Sequence, residues 1–268
     1  MTGVQGYWAD LSAPLFRDLP QDVVAVLPCG ATEQHGPHLP LRVDADLAEA
    51  VAARALTALL PEQNVLILPP LTITRSVEHD AHPGTLSLTA ETLLAVLRDI
   101  GASVARAGVA RLVLLNAHGG NTAVLEIAAR DMRIAHDMIV AHASWFAFAD
   151  AAPSFDPDAL RHDLHAGEIE TSAMLAARPD LVDMTRAADF GTAMAGWEET
   201  FPDIGLSSQP ARPAWVIDDI ATDGACGNAA AATAEKGEAL LQSAGRNFAA
   251  FLADFARFDH RATKGVAR

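Results

Sequence analysis

At 268 residues, half of them apolar, the chain is long enough for one large α/β domain spanning 1–268 with a substantial core. A formal charge of −15 with no Lys/Arg cluster argues against a phosphate-tracking surface, so no nucleic-acid partner is expected. Two cysteines suit a reducing cytoplasm rather than a disulfide framework; MTGVQGYWADLSAPLF has no basic stretch followed by an apolar one, so no leader is expected, and no run nears the roughly 20 apolar residues of a membrane span.

In chain order, DVVAVLP (22–28) predicts a buried strand, and 44–60 predicts a helix with Leu47, Val51, Ala55 and Leu59 on one face. NVLILPP (64–70) predicts a second strand. Thr89 is placed to cap a helix carrying Leu93, Leu97, Ile100 and Val104 that runs out at Gly108. RLVLLN is then a strand, NAHGGN a turn, and a helix starts near Asn121. MIVAHASW predicts a further strand, the HAGEIETSAMLA region opens another helix, and the segment from AAATAEKGEALL to ADFA is a long amphipathic C-terminal helix. Residues 186–228, rich in Gly, Pro, Ser and Asp, read as surface loops that could cover a site. The βαβα alternation with continuous apolar strands implies a three-layer α/β/α fold around a mostly parallel sheet.

The chemistry concentrates where strands end. GATEQHGPHLPLRVD (30–44) follows the first predicted strand directly and holds Glu33, His35, His38 and Asp44. Glu33 and His35 are two apart, so in an extended backbone they leave on the same side and reach one ion. Strand ends of open α/β sheets are where ligands bind. His118 in NAHGGN reads as a metal ligand beside Gly119 and Gly120, which admit backbone or substrate closely, or as a solvent-facing histidine in a turn. Glu168 and Glu170 stand at or near a helix N-terminus, where carboxylates are favoured without any metal. His165, three residues before Glu168, is a candidate proton donor or a surface histidine. Asp44 reads equally as an N-cap, Glu78 and His79 are candidates for substrate contact, and Cys29 is a conceivable nucleophile or inert packing.

Together, LPCGATEQHGPHLPLRVDADLA, SVEHDAHPGTLSL, LLNAHGGN, HAGEIETS and ATAEKGEAL resemble the creatininase (creatinine amidohydrolase) family, which includes the mycofactocin-system peptidase and formamide deformylases. The likeness spans roughly residues 20 to 245. It implies a creatininase-like metal hydrolase that cleaves a C–N amide bond of a small cyclic or linear amide through a metal-bound hydroxide, with a homo-oligomer, commonly a hexamer. It implies divalent metal, two per chain, with Zn foremost and Mn or Fe as alternatives. Glu33, His35, Asp44 and His118 match ligand positions, Asp44 as the bridge, and His165 matches the proton donor to the departing nitrogen. Creatinine-hydrolysing members carry a Glu ligand where this chain has Gly120, and the HAGE form points to Glu168 as its replacement. His82 stands where an aromatic residue is usual, so creatinine itself is not the expected substrate. The alternatives are a peptidase trimming a short modified peptide, a non-catalytic metal or small-ligand binding protein, and a metal-free thiol amidase using Cys29.

Overall fold

The computed structural model describes residues 3–206 and 209–261. Its elements in chain order are β1 (Gln5–Tyr7), β2 (Val24–Cys29), α1 (Val43–Ala58), β3 (Val65–Ile67), α2 (Ala90–Arg106), β4 (Arg111–Asn116), α3 (Thr122–His136) and β5 (Ile139–Ser144). They continue with α4 (Pro157–Leu160), α5 (Glu168–Ala177), β6 (Asp189–Phe190), α6 (Met194–Thr200), α7 (Ile217–Ile220), β7 (Gly227–Asn228) and α8 (Ala234–Arg257). β1 to β5 form one sheet in the order β1-β3-β2-β4-β5, every pair parallel.

The period of two along each strand builds the three layers. Val24, Val26, Val113 and Leu115 face one apolar cluster under α1, α5 and α8, whereas Ala25, Leu27, Leu112 and Leu114 face another under α2 and α3. Strands buried on both faces carry no polar alternation, as continuous apolar runs require. No described helix is long and apolar enough to cross a membrane.

The predicted strands and helices form with small shifts. Thr89 caps α2, accepting from the Thr92 N–H at 3.2 Å, and Gly108 ends it with φ +84°. β3 is shorter than 64–70 because Pro69 and Pro70 have no N–H for the ladder. The C-terminal helix starts at Ala234, where Thr233 accepts from the Lys236 N–H, and the preceding Ala229–Ala231 forms a 3-10 turn. In the segment 186–228, whose sparse regular structure the sequence leaves undecided, the described residues hold the short α6 and α7 and the antiparallel pair β6/β7 between irregular stretches. β1 has no counterpart in the sequence reading, since three residues containing a glycine carry no period.

Topology then fixes where a ligand sits. The chain leaves β2 through α1 for β3 on one side, and later leaves β4 through α3 for β5 on the other. The strand order therefore reverses between β2 and β4, opening a crevice at their carboxyl ends. The segment 30–44 and the NAHGGN turn both enter that crevice.

Candidate metal centre

The segment 30–44 leaves β2 and folds back, with the Glu33 N–H on the Leu41 carbonyl at 2.9 Å. This brings the start of α1 over the strand end. Asp44 thus lies in the first turn of α1, where Arg42 is the N-cap residue, and its carboxylate points into the crevice instead of capping the helix. Glu33, His35, Asp44 and His118 are all buried and converge. His118 Nδ1 stands 3.2 Å from Glu33 Oε1 and 3.5 Å from Asp44 Oδ2, and His35 Nε2 stands 3.5 Å from Asp44 Oδ1. Each Asp44 oxygen faces a different imidazole.

The other ring nitrogens fix the tautomers. A carbonyl only accepts, so His35 Nδ1–H donates to the Glu33 carbonyl at 3.0 Å and His118 Nε2–H donates to the Arg75 carbonyl at 2.8 Å. With neutral rings, both lone pairs then aim at the carboxylates, the arrangement by which backbone carbonyls orient metal-ligating imidazoles. Both Glu33 carboxylate oxygens, Asp44 Oδ2 and His35 Nε2 are buried with no hydrogen-bond partner. Buried polar atoms left this way cost free energy that a bound cation removes. The residues present therefore fit divalent ions: Glu33, Asp44 and His118 around one position, His35 and Asp44 around a second.

The structure separates the two glutamates of the HAGEIETS segment, and it does not bring Glu168 to His35. Glu168 faces away from the cluster and forms an ion pair with Lys236 at the α5–α8 contact. Glu170 faces in, with Oε2 3.8 Å from His35 Nε2 and 2.6 Å from the Ala166 N–H that donates to it. Ala166 has φ +55°, a left-handed conformation rare without glycine, and this turn directs its N–H at Glu170. Asp163, absent from the sequence-based set, caps α5 by accepting from the Glu168 and Ile169 N–H groups at 2.5 and 3.3 Å. A Cβ on Gly167 would strike the Asp163 carboxylate, so that glycine makes room for the cap.

His165 lies beside the cluster, its ring 4.2 Å from that of His35 and 4.4 Å from that of His79. Its Nε2–H donates to the Gln34 carbonyl at 2.8 Å, leaving Nδ1 facing Glu33 Oε1 at 3.8 Å. Burial, aided by the neighbouring His35 and His79, pushes its pKa well down, so the ring rests neutral. Gln34, also missed in the sequence, orients His79: its Oε1 accepts from the Gly36 N–H, and its amide nitrogen donates to His79 Nδ1 at 2.8 Å. His79 Nε2 therefore carries its proton on the side of Glu33 Oε1, 3.4 Å away.

Glu78, Gly119 and Gly120 line the same cavity, of about 740 Å³, as the cluster and His165, with His79 in its wall. Glu78 Oε1 is 3.5 Å from His118 Nε2. A Cβ on Gly120 would strike both Glu78 Oε1 and His118 Nε2, which explains the glycine from this chain alone. The segment 212–216, including Arg212 and Trp215, also lines the cavity, and no spacing in the sequence marks it out. Cys29 is fully buried with its thiol pushed up to about 12 by burial, which removes it as a nucleophile.

Without metal the cluster holds protons. Burial opposes charge on both rings, but Asp44, Glu170 and Glu33 raise His35 to about 9, and Glu33, Asp44 and Glu78 raise His118 to about 10. Divalent ions bind neutral imidazole, so zinc binding near pH 7 is expected to release protons and to weaken as the pH falls. Calorimetric titration in two buffers of different ionisation enthalpy measures the release; buffer-independent heats would contradict it. Both folded pKa values lie above the unfolded value of about 6.5, so stripped protein should lose stability as the pH rises through 9 to 10.

The sequence profile of the family described as creatininase, creatinine amidohydrolase, matches residues 9–252. The chain is 34% identical over 237 residues to a creatinine amidohydrolase of Pseudomonas putida, covering 82% of this chain and 85% of that protein. It is 36% identical over 162 residues to a mycofactocin precursor peptide peptidase of Mycobacterium ulcerans (strain Agy99), a match spanning 59% of each. A solved putative creatinine amidohydrolase of Bacteroides fragilis NCTC 9343 superposes with TM-score 0.78 at 27% identity, covering 97% of this chain and 99% of that one. Two creatininase structures, one described as Mn and the other as a mutant of Zn–Zn type, each superpose with TM-score 0.72 at 28% identity, covering 93% and 92% of this chain and 98% and 97% of theirs. The profile match over nearly the whole chain and the shared three-layer fold place this protein in the creatininase family.

Proposed function

We propose that the protein is a metal-dependent amidohydrolase that cleaves the C–N bond of a small cyclic or linear amide. The observation that carries this reading is Asp44, whose two carboxylate oxygens each face an imidazole nitrogen whose opposite nitrogen is tied to a backbone carbonyl. In this reading Glu33, Asp44 and His118 hold one divalent ion and His35, Asp44 and Glu170 hold another. When bound, the ions supply Lewis-acid chemistry, acidifying water and polarising the amide carbonyl.

The chain's own residues supply the rest. His165 rests neutral with Nε2–H tied to Gln34, so Nδ1 is free to take a proton during attack and to deliver it to the departing nitrogen. An amide nitrogen leaves poorly without that proton. Gln34 positions two rings in this reading, its carbonyl accepting from His165 Nε2–H and its side-chain amide donating to His79 Nδ1.

Glu78 and the side-chain-free backbone of Gly119 and Gly120 form the substrate wall in this reading. With Glu78 over Gly120, a carboxylate side chain at position 120 has no room, and creatinine is expected to be a poor substrate. The size of the cavity favours a second reading within the same chemistry, a peptidase trimming a short modified peptide. The same proposal takes residues 1–268 as one domain in a cytoplasmic homo-oligomer; the buried, free Cys29 and Cys226 suit a reducing compartment.

The test is hydrolysis of lactams, formamides and short peptides by protein loaded with Zn or Mn. Chelation should abolish turnover and metal should restore it, while thiol alkylation should leave it unchanged. Turnover insensitive to chelation would sink the proposal. His165→Ala should keep its metal and lose about 10²-fold or more in turnover; unchanged rates would remove His165 from the chemistry.

A further inference from the structure

The cavity above the cluster contains a cation that neither metal binding nor proton transfer uses. Arg212 lines it together with Glu33, Asp44 and His118. It is exposed, and it has no carboxylate or hydrogen-bond partner among the described residues. This chain holds 34 Asp and Glu against 19 Lys and Arg, so carboxylates are abundant. Other arginines find them: Arg161 sits on Glu198 and Arg186 on Asp183. Arg75, the other arginine of the cavity, already lies between Glu78 at 3.9 Å and the Gly120 carbonyl at 3.4 Å.

Arg212 is carried on a segment that is fastened in place. Ile217 and Ile220 of α7 are buried with Met194, Leu206 and Cys226, and Trp215 packs against that group. The Asp219 carboxylate accepts from the Val216 N–H at 2.9 Å. Asp218 pairs with His82 at 2.9 Å, tying α7 to the loop that follows Glu78 and His79. Residues 212–216 thereby form a fixed wall, with Arg212 and Trp215 both on the cavity.

A guanidinium offers a planar fork of donors that matches a carboxylate. At about 740 Å³ the cavity is large enough for a ligand well beyond a small cyclic amide, so an amide seated at the cluster leaves space for a tail that meets residues 212–216. With Arg75 already paired and the carboxylates of the cluster committed to metal, Arg212 is the cavity cation left to meet an anionic group away from the reacting amide. Resting on the amidohydrolase reading above, we infer that the substrate is an amide whose far end carries a carboxylate, and that Arg212 binds that carboxylate.

Two hydroxamates, which chelate divalent ions, test this directly: one ends in a carboxylate and the other in the matching carboxamide, and both are titrated calorimetrically into zinc-loaded protein. The carboxylate form should bind about tenfold more tightly. Arg212→Met should erase that ratio, Arg212→Glu should invert it, and Arg257→Ala, which alters only a surface pair on α8, should leave it intact. Equal binding by the unmodified protein, or a ratio that survives Arg212→Met, overturns the inference. Hydrolysis of N-acyl amino acids and their C-terminal amides is read separately. A binding preference without hydrolysis removes the hydrolase reading and leaves the Arg212 subsite standing. Hydrolysis without preference does the reverse, and no binding of either hydroxamate overturns both.

Discussion

Asp44→Asn is expected to strip both ions from the protein and reduce amide hydrolysis to background. In the proposed site Asp44 is the one side chain shared by the two positions, with Oδ1 turned to His35 and Oδ2 to His118. The amide keeps the shape but loses the negative charge and one of the two acceptor oxygens. Each position is then left with one carboxylate and one imidazole, too few anionic ligands for tight binding of a divalent ion. The readouts are metal content after dialysis and the rise in melting temperature on adding zinc, which reflects binding to the folded state alone. Neither depends on knowing the substrate. Retention of two ions per chain, or an undiminished thermal shift, would show that Asp44 does not bridge.

The second large effect separates two glutamates that are two residues apart. Glu170→Gln is expected to remove one ion of the two and to lower hydrolysis by about 10²-fold or more, because it takes away the carboxylate beside His35. The glutamine can still accept from the Ala166 N–H, so the turn at His165 persists and the fold survives. Glu168→Gln should leave metal content unchanged. It weakens the ion pair with Lys236 at the α5–α8 contact and should cost about 1–3 kcal/mol of stability. Elemental analysis and chemical denaturation of the two variants give a crossed pattern, metal lost with Glu170 and stability lost with Glu168. The opposite pattern would restore Glu168 as the ligand.

Much of this was legible in the chain. The apolar runs at β2, β4 and β5 and the one-sided apolar periods of α1, α2 and α8 reflect burial on fixed faces, a local consequence of side-chain spacing. Glu33, His35 and Asp44 were readable because one short Gly/Pro-punctuated segment carries all three, and chain connectivity alone holds them close. Thr89 and Gly108 marked helix ends through capping and positive φ, which are also local.

What the sequence left open depends on orientation between elements. Glu168 and Glu170 share a helix N-terminus, but at about 100° per residue they point to opposed faces, and only the docking of α5 against α8 decides which one meets His35. The same holds for Gln34, whose amide meets His79 from another loop, and for Asp163, whose role as a cap exists only because Gly167 leaves space for it. Arg212 and Trp215 reach the site from a segment far along the chain from His118, with no period or spacing to announce them. The sequence by itself determined the layers, the strand ends and the ligand-rich segment after β2, because these follow from local pattern and covalent connection. Only the tertiary structure decided which carboxylate lies beside His35 and which cation lines the cavity, because both depend on how separate elements pack across the β2–β4 crevice.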